Sequence, residues 1–121
     1  GELEVVNGLT EDALVKLISN ERLAVSFYVR GGETFKLTSI PDGSYSLLYC
    51  TGFGWNQQKR DFSRGRHASR HDKTLQFTTD ERVEGRKIIT STSVISLTLH
   101  KVISGNTTTS EVSLEEFDKY N

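Results

Sequence analysis

The segment from Ser39 to Cys50 constrains the fold more than any other part of the chain, because it joins a strong turn signal to an alternating apolar pattern. In the run Pro-Asp-Gly at 41–43, proline fixes φ near the value that a turn needs, aspartate can bond to its own backbone, and glycine accepts a positive φ. After this turn, apolar side chains recur at every second position, at Tyr45, Leu47 and Tyr49. A period of two is the side-chain period of a β-strand.

Before the turn, Phe35 and Leu37 alternate with polar residues in the same way. The pattern therefore predicts a hairpin, in which the turn at Pro41 joins two strands that share one apolar face. A hairpin of this kind is an ordinary part of a β-sandwich, so the turn itself predicts a scaffold and no chemistry.

Alternation also predicts strands elsewhere, at 2–6, 22–30, 74–78 and 88–103. Turn signals separate these strands. Asn7-Gly8 ends the first strand, and Gly31-Gly32 closes a hairpin onto the strand before Pro41. The charged segment Asp80 to Lys87 contains Gly85 and predicts a solvated hairpin connection. About seven short strands with frequent turns predict an all-β fold, an antiparallel β-sandwich of the prealbumin or immunoglobulin type.

The segment from Leu9 to Ser19 is ambiguous. Its apolar residues have helical spacing, and Thr10 followed by acidic residues is an acceptable helix start. As a strand, the same segment has apolar residues on both faces, a pattern typical of a strand that is covered on both sides. Its short length and the turn-like Asn20-Glu21 pair favour the strand.

The end of the chain predicts a short helix. Ser113 and Glu116 have the spacing of a capping box, and Val112 and Phe117 have that of a hydrophobic staple. We therefore expect a β-sandwich over residues 1–112 and a short capped helix with a tail over 113–121.

The chain of 121 residues is long enough for one domain with one core. Fifteen basic and 16 acidic side chains give a net charge of −1, so no global field favours nucleic acid or an anionic membrane. A single cysteine, Cys50, excludes an internal disulfide, and no apolar run is long enough to predict a membrane span. The chain contains no methionine and begins with Gly1, which leads us to expect that an upstream segment has been removed.

The segment from Gly52 to Lys73 has no clear period and predicts a long loop. Between Lys59 and Lys73 it carries six positive and two negative side chains, and aromatic residues are interleaved with them. Guanidinium groups bind phosphate or carboxylate, and aromatic faces can stack on a sugar or a base. The candidate ligand-binding residues are Trp55, Lys59, Arg60, Arg64, Arg66, His67, Arg70 and His71. The alternative is a solvated loop whose aromatic residues pack onto the sandwich edge.

Other chemistry finds less support. His67 and His71 are four residues apart with Asp72 adjacent, which would bring two metal ligands together only in a helix, and no third ligand is specified. As a nucleophile, Cys50 or a serine would need a positioned base, and the available histidines are His67, His71 and His100. No sequence signature of a catalytic serine or cysteine accompanies them. The acidic pairs Asp80-Glu81 and Glu115-Glu116 lie in exposed contexts. We expect no metal, no cofactor and no catalytic residue. Asn106-Thr107-Thr108 matches the short N-glycosylation pattern.

Two resemblances to known families bear on the fold and on the kind of protein. The run Ile40-Pro41-Asp42-Gly43-Ser44-Tyr45-Ser46-Leu47 resembles the strand turn of carboxypeptidase-regulatory-like and related prealbumin-like sandwiches. Over most of the chain, the segments 6–8, 12–17, 28–30, 40–43, 54–56, 98–102 and 105–106 are similar to an uncharacterised family of bacterial β-rich domains. This second resemblance implies a small module appended to other segments, favours the strand at Asp12 to Ile18, and transfers no catalytic residue.

The sequence thus predicts a non-enzymatic β-sandwich interaction module that uses the Gly52 to Lys73 loop to bind a protein, a glycan or another anionic partner. A bacterial cell-envelope or secreted protein is the expected context. The alternative is a structural spacer or accessory domain that supports a neighbouring domain.

Overall fold

A computed structural model describes residues 1–100 and 109–121. This part of the chain contains eleven strands and one short helix. The elements are β1 (Glu2–Asn7), β2 (Asp12–Ser19), β3 (Arg22–Val29), β4 (Thr34–Leu37), β5 (Gly43–Asn56), β6 (Asp61–His71), β7 (Leu75–Phe77), β8 (Thr79–Glu84), β9 (Lys87–Thr92), β10 (Val94–Leu99), β11 (Thr109–Val112) and α1 (Leu114–Asp118).

The larger sheet has the strand order β11-β6-β5-β2-β3, and β7 pairs with the start of β5. All of its pairings are antiparallel. β5 is 14 residues long and pairs with β2, β6 and β7, so it holds this sheet together.

A smaller sheet with the order β10-β1-β4 covers one face of the larger one. β1 pairs in parallel with β10 and antiparallel with β4. Apolar residues from both sheets form the main core, including Leu3 of β1, Val15 of β2, Leu47 of β5 and Leu99 of β10. The fold is therefore an all-β, sandwich-like fold with a short C-terminal helix, as the sequence predicts.

The opposite face of the larger sheet has its own apolar cluster, which includes Leu14 and Ile18 of β2, Cys50 of β5 and Phe62 of β6. Phe117 of α1 is fully buried against this cluster. The residues from Ala13 to Ile18 are consequently all buried, which confirms the prediction of a strand covered on both sides.

Strands β8 and β9 form a separate two-stranded sheet, which we call the ribbon (residues 79–92). Gly85, with φ of 62°, begins the turn between them. The connection predicted over Asp80 to Lys87 is therefore shorter than expected, because Asp80 to Glu84 belong to β8 and Lys87 begins β9. The strand predicted at Ile88 to Ile103 is in fact two strands, β9 and β10, separated at Ser93. Its last residues and the Asn106 pattern lie outside the described residues.

The predicted hairpin at Pro41 is wrong. β4 pairs with β1 in the smaller sheet, whereas β5 pairs with strands of the larger one, so the turn carries the chain from one sheet to the other. The Gly31-Gly32 hairpin is wrong for the same reason, because β3 pairs with β2 and not with β4. Turn residues determine where a chain reverses, but pairing is decided by which apolar face the strand must cover.

Asn7, fully buried at the end of β1, fixes the crossing between the sheets. Its side-chain amide donates to the carbonyl oxygens of Glu11 (2.9 Å) and Val29 (3.0 Å), and its side-chain oxygen accepts from the Leu9 N–H (3.0 Å). Gly32 N–H donates to the Asn7 carbonyl oxygen at 2.9 Å. The residue thus ties the end of β1 to β2 and β3.

We expect Gly31→Ala to destabilise the domain by about 1–3 kcal/mol, because overpacking a tight site costs energy of this order. A Cβ atom at Gly31 would lie 2.3 Å from the Thr10 carbonyl oxygen, whereas one at Gly32 would have no atom within 4 Å. Gly32→Asn is the matched control, since asparagine tolerates the φ of 76° found there. Urea unfolding checks the difference, and equal midpoints for the two variants would contradict it.

Candidate functional site

The predicted loop from Gly52 to Lys73 is not a loop but a long antiparallel hairpin of β5 and β6. Its period is hidden in the sequence because the register shifts between Thr51 and Phe53, and because Gly54 and Gly65 both have positive φ. Such irregularities move side chains to the other face of the sheet. The eight predicted ligand-binding residues are therefore distributed over different surfaces instead of forming one patch.

Arg66 faces the C-terminal helix and is engaged within the protein. Its guanidinium donates to both carboxylate oxygens of Asp118, at 2.5 and 3.0 Å, and lies 2.9 Å from Asp61. The hydrogen bonds to Asp118 raise the pKa of Arg66 above its ordinary value. Because this positive charge is already neutralised by two carboxylates, Arg66 is a poor candidate for binding an external anion.

Lys16, in the middle of β2, is the second cation that fastens the helix. Its Nζ donates to the carbonyl oxygens of Phe117 (3.0 Å) and Tyr120 (2.8 Å) and lies 4.1 Å from the centroid of the Phe117 ring. Burial lowers the pKa of Lys16, although the Asp118 and Asp61 carboxylates oppose the shift. We call Lys16, Arg66, Asp61 and Asp118 the helix latch.

Trp55 is partly buried and packs against the apolar cluster on the helix side of the larger sheet. Its ring packs against Tyr28 at 4.8 Å and against Phe62 at 5.2 Å between centroids, and its indole N–H donates to Gln57 at 2.9 Å. The Tyr28 hydroxyl in turn donates to Asp12, and burial together with that bond raises the pKa of Tyr28 to about 12. Trp55 is thus one of a packed aromatic group, as the alternative of packing onto the sandwich predicts.

The remaining basic residues are dispersed. Lys59 and Arg60 lie in the turn of the hairpin, where the Lys59 N–H donates to Asn56 at 3.0 Å. Arg64 is exposed on β6, and Arg70 lines a separate cavity that also contains Glu21 and Glu116. The hairpin therefore presents no concentrated patch of free guanidinium groups among the residues described.

The sandwich-side face of the same hairpin carries a concave site, which we call the Phe53 groove. It has a volume of about 300 Å³ and is lined by Leu9, Glu11, Tyr49, Thr51, Phe53, Gly65, His67, Ser69 and His100. Tyr49 and Ser69 are buried and form its floor, whereas His67, His100 and Phe53 are exposed at its rim.

Phe53 is 54% exposed, which is unusual for a phenylalanine. Its ring covers Gly65 on the neighbouring strand, where a Cβ atom would lie only 3.0 Å from the ring. Glycine at this position thus leaves room for the aromatic ring. The floor is fixed as well, because the Tyr49 hydroxyl donates to the His100 carbonyl oxygen at 2.7 Å.

The two neighbouring histidines of β6 have different surroundings. His67 Nε2 lies 3.0 Å from the Glu111 carboxylate at the groove rim. Burial lowers the pKa of His71, with the Asp72 carboxylate opposing the shift. Because β6 is a strand, a spacing of four residues separates the two by roughly 13 Å along the chain. In residues 1–100 and 109–121 no group of three or more His, Cys, Asp or Glu side chains is placed to hold a metal ion.

Sequence reasoning placed His67 in the candidate site but missed Glu11, His100 and Lys16. Glu11 and His100 come from segments far from the hairpin and reach the groove only through the packing of the two sheets. Lys16 interrupts an otherwise apolar run, Ala13 to Ile18, and this interruption is the signal that could have marked it as a buried cation.

We expect Lys16→Met to weaken the docking of the C-terminal helix and to lower stability by about 1–3 kcal/mol, because the buried carbonyl group of Phe117 and the partly buried one of Tyr120 lose their donor. Lys36→Met, on the exposed side of β4, is the matched control and is expected to have little effect. Urea unfolding and amide hydrogen exchange over residues 114–120 measure the two variants. Unchanged exchange in Lys16→Met would contradict a role in helix docking.

The latch also predicts an acid-sensitive step. The hydrogen bonds from Arg66 hold the pKa of Asp118 below its ordinary value, so its stabilising contribution is present above the ordinary pKa and is lost as pH falls through the lowered one. We expect exchange of the helix amides to accelerate between about pH 5 and pH 2, beyond the intrinsic pH dependence of exchange. Asp118→Asn should remove that excess, whereas Asp80→Asn on the ribbon should retain it.

Comparisons with known proteins found no relative of this chain. No family model, no curated protein and no solved structure matches the chain. Among the described residues, no helix has the length and apolar character required to cross a membrane. The function proposed below therefore rests on the geometry of this chain.

Proposed function

We propose that the chain is a non-enzymatic β-sandwich interaction module, and that it binds an uncharged, hydroxyl-rich ligand such as a neutral glycan in the Phe53 groove. The observation that carries this proposal is the exposed Phe53 ring beside a concave surface of polar groups. Binding sites commonly combine an apolar surface with a few convergent polar groups, and this groove has both.

The chemistry of the rim suits hydroxyl groups. Imidazole nitrogens of His67 and His100 can accept or donate hydrogen bonds, and the carboxylate of Glu11 can accept them. The apolar face of a sugar ring can lie on Phe53. Glu11 lines the groove, and Glu111 contacts His67 at its edge, so the local charge disfavours an anion. These contacts favour a neutral ligand over the anionic one that the basic residues suggested.

A structural accessory role is the second candidate, and the helix latch favours it. Lys16 and Arg66 direct their charges to carbonyl and carboxylate groups of the C-terminal segment, which makes them part of the scaffold. The resemblance to bacterial β-rich modules is compatible with either role, in the cell envelope or in a secreted protein.

Calorimetric titration with neutral hexasaccharides of glucose, xylose and N-acetylglucosamine tests the groove, with heparin as the polyanionic probe. We expect Phe53→Ala to weaken binding of a neutral oligosaccharide roughly tenfold or more, because exposed aromatic contacts of this kind dominate binding energy. His67→Gln, at the rim, should weaken it less. Val83→Ala is the control, since Val83 is also an exposed apolar residue and lies on the ribbon, outside the groove.

Absence of binding by all three neutral probes would overturn the proposed ligand class. Heparin binding that is lost in Lys59→Ala/Arg60→Ala and retained in Phe53→Ala would instead support an anionic partner at the hairpin turn. Binding of neither class would leave the accessory role as the better account.

A further inference from the structure

The ribbon is the part of the described chain that contributes least to the sandwich. It is held at its base by Thr78 and Ser93, where the Ser93 N–H donates to the Thr78 carbonyl oxygen at 3.1 Å. Every residue of β8 is exposed, and on β9 only Ile89 is partly buried. An isolated two-stranded hairpin is marginally stable in water, and a third strand or an apolar cover stabilises it.

The two long edges of the ribbon differ. The edge of β8 is closed at its base, because Asp42 accepts hydrogen bonds from the Thr79 N–H (3.1 Å) and the Thr79 hydroxyl (2.8 Å). Further along, β8 carries Asp80, Glu81, Arg82 and Glu84. Charged side chains on an edge strand are a common protection against pairing with another strand.

The edge of β9 has no such protection. From Ile88 to Thr92 the strand is uncharged, rich in β-branched residues and free of proline. Backbone groups alternate in direction along an antiparallel strand. Since Ser93 N–H points toward β8, the N–H and C=O groups of Ile88, Thr90 and Thr92 point away from it, and no described residue pairs with them.

We propose that the β9 edge binds the β9 edge of a second copy of this chain, which joins two ribbons into one antiparallel four-stranded sheet. The two-fold axis passes at Ile89, so that Ile89 faces its equivalent and Ile88 exchanges backbone hydrogen bonds with Thr90 of the second copy. This is strand addition to an exposed edge, with another copy as the added strand.

Charge favours this arrangement over the pairing of two β8 edges about Arg82. With the axis at Ile89, Lys87 faces the uncharged Ser91 of the second copy, and no like charges are opposed across the new pairing. Pairing of two β8 edges about Arg82 would set Arg82 against Arg82 and Asp80 against Glu84, which is repulsive. The exposed side chain of Ile88, at 69%, is partly covered in the proposed dimer.

The contact is small, because one strand of six residues from each copy supplies it. Interfaces well below the standard size are weak, so we expect a dissociation constant of roughly 0.1–1 mM. High local concentration or attachment to a surface would be needed to populate the dimer fully.

Sedimentation velocity of the whole chain from about 10 μM to about 1 mM tests the proposal across the expected range. The average mass should rise with concentration, and amide signals of β9 should shift more than those of the Phe53 groove. Thr90→Pro removes an outward N–H and should weaken association roughly tenfold. Glu81→Pro removes an outward N–H from the β8 edge and is the matched control, expected to associate like the parent chain.

Ile89→Lys provides a second test, because it places two ammonium groups opposite each other on the axis. It should abolish association at low salt and partly regain it at high salt. A chain that remains monomeric up to the highest concentration, or an equal effect of Thr90→Pro and Glu81→Pro, would overturn the proposal. Oligosaccharide binding is tested by substitution of Phe53, whereas dimerisation is tested by substitutions in β9. Failure of either proposal therefore leaves the other intact.

Discussion

Burial of β2 on both faces is the constraint on which the rest of the structure depends. A strand whose central residues, Ala13 to Ile18, are all buried requires two covers. The smaller sheet supplies one, and α1 with the aromatic group around Trp55 supplies the other. Because a lysine occupies the middle of this strand, the second cover must also satisfy a buried ammonium group, and the carbonyl groups at the end of α1 do so.

This arrangement divides the β5–β6 hairpin into two surfaces with different roles. On the helix side, Arg66 and Trp55 are engaged in packing and in the latch, which makes that surface part of the scaffold. On the sandwich side, the hairpin extends beyond the smaller sheet and leaves Phe53 exposed above buried hydroxyl groups. The strands of the larger sheet therefore position the groove.

Sequence patterns predicted most of the strands because alternation is a local property. They identified β2 as a strand covered on both sides, a strand within residues 74–78 that corresponds to β7, and Ser113 as the residue that caps α1, where it accepts from the Glu116 N–H at 3.0 Å. Partners of strands were not predictable in this way, and the turns at Pro41 and Gly31-Gly32 were mistaken for hairpins. Which strand lies beside which depends on contacts between distant segments.

The candidate site shows the same division. Charge and aromatic content led to the prediction of a binding site at residues 52–73, but the hairpin's irregular register places Arg66 and His67 on different faces. Composition counts charges without their partners, and the carboxylates of Asp61 and Asp118 that neutralise Arg66 lie at the start of β6 and in the terminal helix. The groove needed Glu11 and His100, which only the folded chain brings to the hairpin.

Cys50 lies fully buried in the apolar cluster that includes Phe117, and burial raises the pKa of its thiol. A protonated, covered sulfur reacts slowly with oxidants and alkylating reagents. Its reactivity is thereby coupled to seating of the terminal helix, since any opening that lifts Phe117 uncovers the sulfur as well. The rate at which this single thiol is modified therefore reports how often the C-terminal helix leaves the larger sheet.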